Sequence, residues 1–138
     1  MIAKYIWEFG SLIFIFLGTI HLVYTFFTNK FSSKNNKVII EMESSHPNLT
    51  KETTIWKAWI GFNASHSIGA MFIGFINFYL AYSYFSIFQS DHFFFIFNIL
   101  TISFYVWLAK VYWFKIPLIG TSIALICFIV SYSIILIT

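Results

Sequence analysis

Residues 93–137 read FFFIFNILTISFYVWLAKVYWF, KIP and LIGTSIALICFIVSYSIILI in succession, so a three-residue corner joins two long apolar stretches. A helix needs about 20 apolar residues to cross the hydrocarbon core of a bilayer, and both stretches reach that length. Because lipid offers an exposed backbone no hydrogen-bond partner, both stretches are predicted to be helices. Pro117 in the corner suits the first turn of the last helix.

Two earlier stretches have the same character, and together the four predict an all-α integral membrane protein. The apolar runs are continuous and lack the alternation of a membrane β-barrel. The predicted fold is a four-transmembrane-helix bundle in a single domain over residues 1–138, with one longer cytoplasmic loop between the first two helices. The spans are expected at about 6–27, 59–84, 93–114 and 118–137.

The first span is expected to be retained rather than cleaved as a signal peptide. Its apolar run is longer than the roughly 7–15 residues of a signal peptide, and no small-residue cleavage site follows it. It also contains Glu8 and His21.

The composition of the 138 residues excludes several classes of protein. Apolar residues make up 59 % and charged residues 9 %, whereas a soluble domain has about 45–50 % and about 25 %. A disordered chain, a water-soluble enzyme and a nucleic-acid-binding protein are therefore excluded. Cys127 is the only cysteine, so no intrachain disulfide can form, and we expect it to be a packing residue.

The lysines predict the orientation in the membrane. All eight basic residues are lysine, and seven lie in loop 28–57, at Lys110 or in corner 115–117, which share one side. Only Lys4 lies on the other side. By the positive-inside rule, the lysine-rich loops are predicted to be cytoplasmic, near anionic membrane lipids, and both termini to be outside.

Tryptophans and one short segment are expected at the membrane interfaces. Trp56, Trp59 and Trp113 would mark the inner interface and Trp7 the outer one. Within the long loop, residues 38–42 could form a short helix lying on the membrane, since Ser and Asn residues around it suit caps and turns.

Three polar residues inside the spans form the main candidate site. At about 1.5 Å per residue, His21 lies roughly 9 Å from the inner end of its helix, and His66 roughly 10 Å beyond Trp59. Asn63 shares the helix face of Trp59 and His66. Polar groups at such depth are costly unless they face the bundle interior. His21, Asn63 and His66, with Trp59 and with Tyr105 of the third span, are the candidate ligand-binding residues.

Three hypotheses for function stay open. The site could bind a lipophilic small molecule or lipid at the inner leaflet, where a histidine could also act as a general acid or base. His21 and His66 could instead be metal or haem ligands in an electron carrier. The chain could also be a non-catalytic accessory or assembly subunit, with the histidines only hydrogen-bonded to neighbours and fixing helix register.

Small residues recur at four-residue intervals on the second span: Gly61, Ser65 and Gly69, and then Ala70 and Gly74. Such spacing allows close approach of another backbone. These residues are predicted to pack inside the chain or to form a homo- or hetero-oligomer contact.

Other polar residues receive more ordinary interpretations. Glu8 is expected to pair with Lys4 one helical turn away, with an outer cluster of Glu8, Asn77 and Asn98 as the alternative. His46 and His92 are expected on the solvent side.

The run TIWKAWIGFNASHSIG at residues 54–69, with GTIHL at 18–22, resembles a family of small four-helix bacterial membrane proteins. Their second helix carries a W-x-x-W-x-G-x-N-x-S-H-S-x-G-like pattern, and a histidine lies late in the first helix. The resemblance implies a bacterial cytoplasmic membrane and marks His21, Asn63 and His66 as a shared polar signature. It implies no activity.

Overall fold

The computed structural model describes residues 1–137, and within them it contains five α-helices and no strand. They are α1 (Ile2–Phe27), α2 (Asn36–Ser44), α3 (Ile55–Phe88), α4 (His92–Tyr112) and α5 (Lys115–Ile137). All but α2 are long and apolar enough to cross a membrane. The all-helical class and the four candidate spans are therefore confirmed.

The long helices differ from the predicted spans at their ends. Helix α1 begins at Ile2 rather than residue 6, and α3 covers Ile55–Phe88 rather than 59–84. Helix α4 ends at Tyr112 rather than 114, and α5 already begins at Lys115. Apolarity marks only the part of a helix that suits lipid, whereas the backbone hydrogen bonds continue through polar residues until a cap or turn ends them.

Side-chain caps mark the start of two helices, α4 and the short α2. The Asp91 carboxylate accepts a hydrogen bond from the backbone N–H of Phe94 at 3.2 Å at the start of α4. The Asn35 side chain caps α2 in the same way through Lys37 N–H, and α2 includes the predicted short helix at 38–42. Each cap satisfies an N–H that has no partner within the helix.

Helix α3 is the longest element, and it is interrupted. Its 34 residues would extend about 51 Å if straight, more than the roughly 30 Å of a hydrocarbon core. The backbone leaves helical geometry at Tyr84, with φ −134° and ψ 19°. This break coincides with the predicted end of the second span.

Contacts divide the chain into two compact units, and α1 and α3 contribute to both. One unit contains Met1–Leu17 and the chain from Ala70 onward, and the other contains Gly18–Gly69. The core of the first unit draws on four helices and consists of Trp7, Phe14, Ala70, Ala81, Phe95, Ile102, Ala124 and Phe128. The single domain over 1–138 stays a prediction.

Trp7 is the centre of the first unit and is fully buried. Its ring stacks on Phe128 of α5, with ring centres 3.9 Å apart, and meets Phe95 of α4 edge-on at 4.7 Å. Its indole N–H donates to Oδ1 of Asn77 in α3 at 3.1 Å. Asn77 in turn donates to Oδ1 of Asn98 in α4 at 2.7 Å. These three polar residues, the Trp7–Asn77–Asn98 cluster, join α1, α3 and α4.

The contacts of Trp7 and Glu8 bear on two expectations from the sequence. The Trp7 ring is enclosed by the protein rather than exposed to a membrane interface, because its N–H has a partner inside the protein and its ring packs on two phenylalanines. The alternative outer cluster forms for Asn77 and Asn98 only. Glu8 instead pairs with Lys4, with Oε1 and Nζ 3.8 Å apart, as first expected.

The first unit buries polar groups while leaving large apolar side chains exposed. Five polar side chains are buried: Ser11, Asn77, Asn98, Thr121 and Ser131. The Ser131 hydroxyl donates to the Ala3 carbonyl at 2.8 Å and so links α5 to α1. By contrast, Phe72 and Phe104 are 66 % and 57 % exposed. Exposed apolar area of this extent favours lipid as the surrounding medium.

The small residues of α3 have different environments. A Cβ atom on Gly74 would lie 2.7 Å from the backbone N of Ile15 and 2.8 Å from the carbonyl oxygen of Ser11, so α1 packs directly on it. A Cβ atom on Gly61 would meet nothing within 4 Å. Packing inside the chain therefore applies to Gly74 and not to Gly61.

Replacing Trp7→Ala is expected to lower the free energy of unfolding by about 3–5 kcal/mol, because it removes a fully enclosed aromatic ring and leaves a cavity. Reversible unfolding in mixed detergent micelles measures this change. Trp107→Ala is the matched control. Trp107 is 48 % exposed, so the control should cost less than about 1 kcal/mol. Equal losses in the two variants would contradict the central place of Trp7.

Candidate functional site

The second unit brings His21 of α1 together with Asn63 and His66 of α3. Nε2 of His21 lies 2.9 Å from Oδ1 of Asn63. The His21 and His66 rings meet edge to face, with centres 5.3 Å apart. All three side chains are half-buried. The structure thus brings together the three residues that depth and helix face had indicated, and we call them the histidine site.

The orientation of the Asn63 amide determines which atom is the donor. Its Nδ2 donates to the Trp59 carbonyl at 2.8 Å, and a reversed amide would place two oxygens against each other. Oδ1 must therefore face His21, and Nε2 of His21 must carry a proton. In the neutral ring, the lone pair is then on Nδ1.

Local hydrogen bonds occupy the nearby hydroxyl groups. Thr25 donates to the His21 carbonyl and Ser67 to the Asn63 carbonyl, each at 2.8 Å. Because these protons are directed at their own helices, they do not compete for the imidazole nitrogens.

The segment after α1 folds back over the site through Phe31, a residue outside the predicted candidate site. The Phe31 ring centre lies 4.4 Å from that of His21, and its carbonyl accepts a hydrogen bond from the Trp59 indole at 3.3 Å. One signal was available in the sequence, since Phe31 is an isolated aromatic residue among lysine, serine and asparagine. Nearby, Nζ of Lys30 lies 4.2 Å from the Tyr24 ring centre, a cation–π contact.

An open depression of about 340 Å³ lies beside the site and is lined by Phe31, Ser32, Ser33, Met42, Trp56 and Trp59. We call it the aromatic depression. Trp59 enters the candidate site as part of this wall and through its carbonyl. The imidazoles do not line the depression. Phe31 belongs to both places, because it lines the depression and contacts His21.

The remaining predicted residues are Tyr105, Ser65 and Gly69. Tyr105 belongs to the first unit, where its ring contacts Phe14 and Trp113, so its role in the histidine site stays a prediction. Ser65 is exposed and donates to the Phe62 carbonyl at 3.1 Å. Gly69 is half-buried.

The side chains of the histidine site form a poor set of ligands for a metal ion or a haem. Within residues 1–137, no group of three or more His, Cys, Asp or Glu side chains comes together. Nε2 of His21 is a donor to Asn63, so only Nδ1 of that ring could be a ligand. Two imidazoles on opposite sides of one iron would have ring centres roughly 6 Å apart with the porphyrin between them. The observed 5.3 Å edge-to-face contact does not fit that arrangement.

The other two histidines, His46 and His92, have contacts of their own. The exposed His46 has Nδ1 2.7 Å from the Thr53 carbonyl. His92 lies at the start of α4, where its Nδ1 and the Tyr132 hydroxyl are 3.2 Å apart. Because a carbonyl can only accept, His46 carries its bonded proton on Nδ1, the opposite nitrogen to His21.

No protein-family model, no curated protein and no solved structure matches this chain.

The two histidines provide an internal test of the site geometry. With ¹⁵N-labelled histidine, His21 should appear as the Nε2–H tautomer and His46 as the Nδ1–H tautomer. Asn63→Leu should remove the preference at His21, since the carbonyl-type acceptor is gone, and leave His46 unchanged. Nδ1–H at His21 in the parent protein would contradict the assigned hydrogen bond.

Proposed function

We propose that this chain is a multi-pass protein of the bacterial cytoplasmic membrane that binds the polar head of a lipid or lipophilic small molecule at the histidine site. The observation that carries the proposal is the hydrogen-bonded pair of His21 and Asn63, with the His66 ring 5.3 Å from that of His21. Ionisable side chains within spans are rare and usually functional, because their burial in hydrocarbon is costly.

The surroundings of the site suit an amphiphile. The aromatic depression can hold an apolar tail against Trp56, Trp59 and Met42. Phe31 connects that depression with His21, so a tail seated there brings its head close to the imidazole. Clefts of this type combine an apolar lining with a few polar groups that set orientation.

If the chain is an enzyme, the same site would transfer a proton to or from the bound molecule. An imidazole that binds a polar head can also take up or release a proton at neutral pH. His21 and His66 would be the residues that act as base or acid, with Asn63 positioning His21.

Ligand retention tests the proposal. Protein extracted with its surrounding lipid should carry a lipophile enriched over bulk lipid, and mass spectrometry identifies it. His21→Phe should lower its content several-fold, because the polar contact is lost while ring volume is kept. His46→Phe, at an exposed histidine outside the spans, should retain it. Equal content in the parent protein and His21→Phe would contradict the proposal.

The lysine distribution supports an orientation with loop 28–57 in the cytoplasm and both termini outside. In a Cys127→Ser background, Ser90→Cys should react with a membrane-impermeant maleimide in intact spheroplasts. Ser44→Cys should react only after the membrane is opened. Both serines are exposed in the folded chain, so reversed labelling would contradict the orientation.

A second candidate function is a subunit contact through the beginning of α3, favoured by the open space at Gly61 and the exposure of Ser65. Close backbone approach at such positions drives helix association in membranes. Gly61→Leu should then shift sedimentation in detergent toward the monomer. Leu100→Ile, on the exposed surface of α4, should not. An unchanged oligomeric state in Gly61→Leu would exclude this contact.

A further inference from the structure

We infer that the occupant of the histidine site is a lipophile whose head carries a hydroxyl group, an alcohol or a phenol, which donates its proton to Nδ1 of His21. This inference rests on the proposed function and names the chemistry that the site would recognise. Three features of His21 support it.

The first feature is the tautomer. Asn63 offers only its carbonyl oxygen to His21, since its NH₂ group faces the Trp59 carbonyl. Nε2 is therefore the donor, and the neutral ring keeps an acceptor lone pair on Nδ1. A ligand group that meets this atom must be a donor.

The second feature is access to Nδ1. The hydrogen bond of the ring is made through Nε2. Among the buried and half-buried residues of 1–137, only one side-chain N or O atom is fully enclosed and lacks a hydrogen-bond partner. That atom is Oε1 of Glu8. Nδ1 of the half-buried His21 is therefore not fully enclosed by the protein.

The third feature is the absence of a counter-charge. The partner of His21 is a neutral amide, and the Nδ1 lone pair of the neutral ring has no proton to offer an anionic oxygen. Lys30, a cation in the segment that follows α1, lies over the Tyr24 ring. A neutral donor group therefore fits the imidazole better than an anionic head does.

The tail of such a molecule has a place in the aromatic depression. Phe31 lines that depression and lies 4.4 Å from His21, measured between ring centres. A hydroxyl at the end of an apolar tail can thus approach His21 along Phe31.

The test uses three probes with one tail: 1-dodecanol, its methyl ether and dodecyl phosphate. ¹⁵N-histidine protein is placed in phosphatidylcholine nanodiscs, whose head groups have no hydroxyl donor. Dodecanol should shift the His21 Nδ1 resonance saturably, with about fivefold tighter binding than the ether, the size of one net hydrogen bond. The His46 resonances should not move. His21→Phe should abolish the difference between the two probes.

The possible failures are distinguishable. Equal binding of dodecanol and its ether, or tighter binding of dodecyl phosphate, would overturn the hydroxyl class while leaving a lipophile site at His21. No saturable shift with any probe would overturn the proposed function itself. Because the shift is measured on the parent protein, the outcome does not depend on whether a variant folds.

Discussion

The hydrogen bond between the Trp7 indole and Asn77 shows the constraint on which this structure depends. A polar group within an apolar span finds no partner in lipid, so it must be paired within the protein. The Trp7 indole N–H donates to Asn77, and the Asn77 amide in turn donates to Asn98. Since these partners lie on three different helices, satisfying them fixes which helices meet in the first unit and at what height.

The histidine site follows the same constraint with a different result. The Asn63 amide has a hydrogen-bond partner at each end, because its oxygen accepts from His21 and its NH₂ group donates to the Trp59 carbonyl. The His21 ring uses one nitrogen for this bond and keeps a second. If this cluster only stabilised the fold, enclosing and pairing the second nitrogen would add stability. The side chains of the Trp7–Asn77–Asn98 cluster are enclosed in this way. This difference is why we propose a function for the histidine site and a structural role for the Trp7–Asn77–Asn98 cluster.

The four candidate spans and the proximity of the two histidines could be predicted because both follow from local sequence. Apolar length gives the four helices, and a rise of about 1.5 Å per residue places His21 and His66 at one height. The pairing of Lys4 with Glu8 and the short helix at 38–42 are also local.

Features that depend on packing could not be obtained in this way. Trp7 has the amphipathic ring of an interface residue, and only its partners show that it is buried. Phe31 reaches His21 because the chain folds back after α1, which no periodicity encodes. Gly61 and Gly74 have the same residue type, yet only Gly74 has a neighbouring backbone against it.

A double-mutant cycle on Trp7 and Asn77 tests the central claim most directly. Trp7→Phe keeps a stacked ring without the N–H, and Asn77→Leu removes the acceptor. We expect a coupling free energy of about 0.5–1.5 kcal/mol in unfolding from bilayer-like micelles, the range found for hydrogen bonds between membrane helices. Strict additivity of the two substitutions would show that this pair does not hold the helices together and would contradict the account.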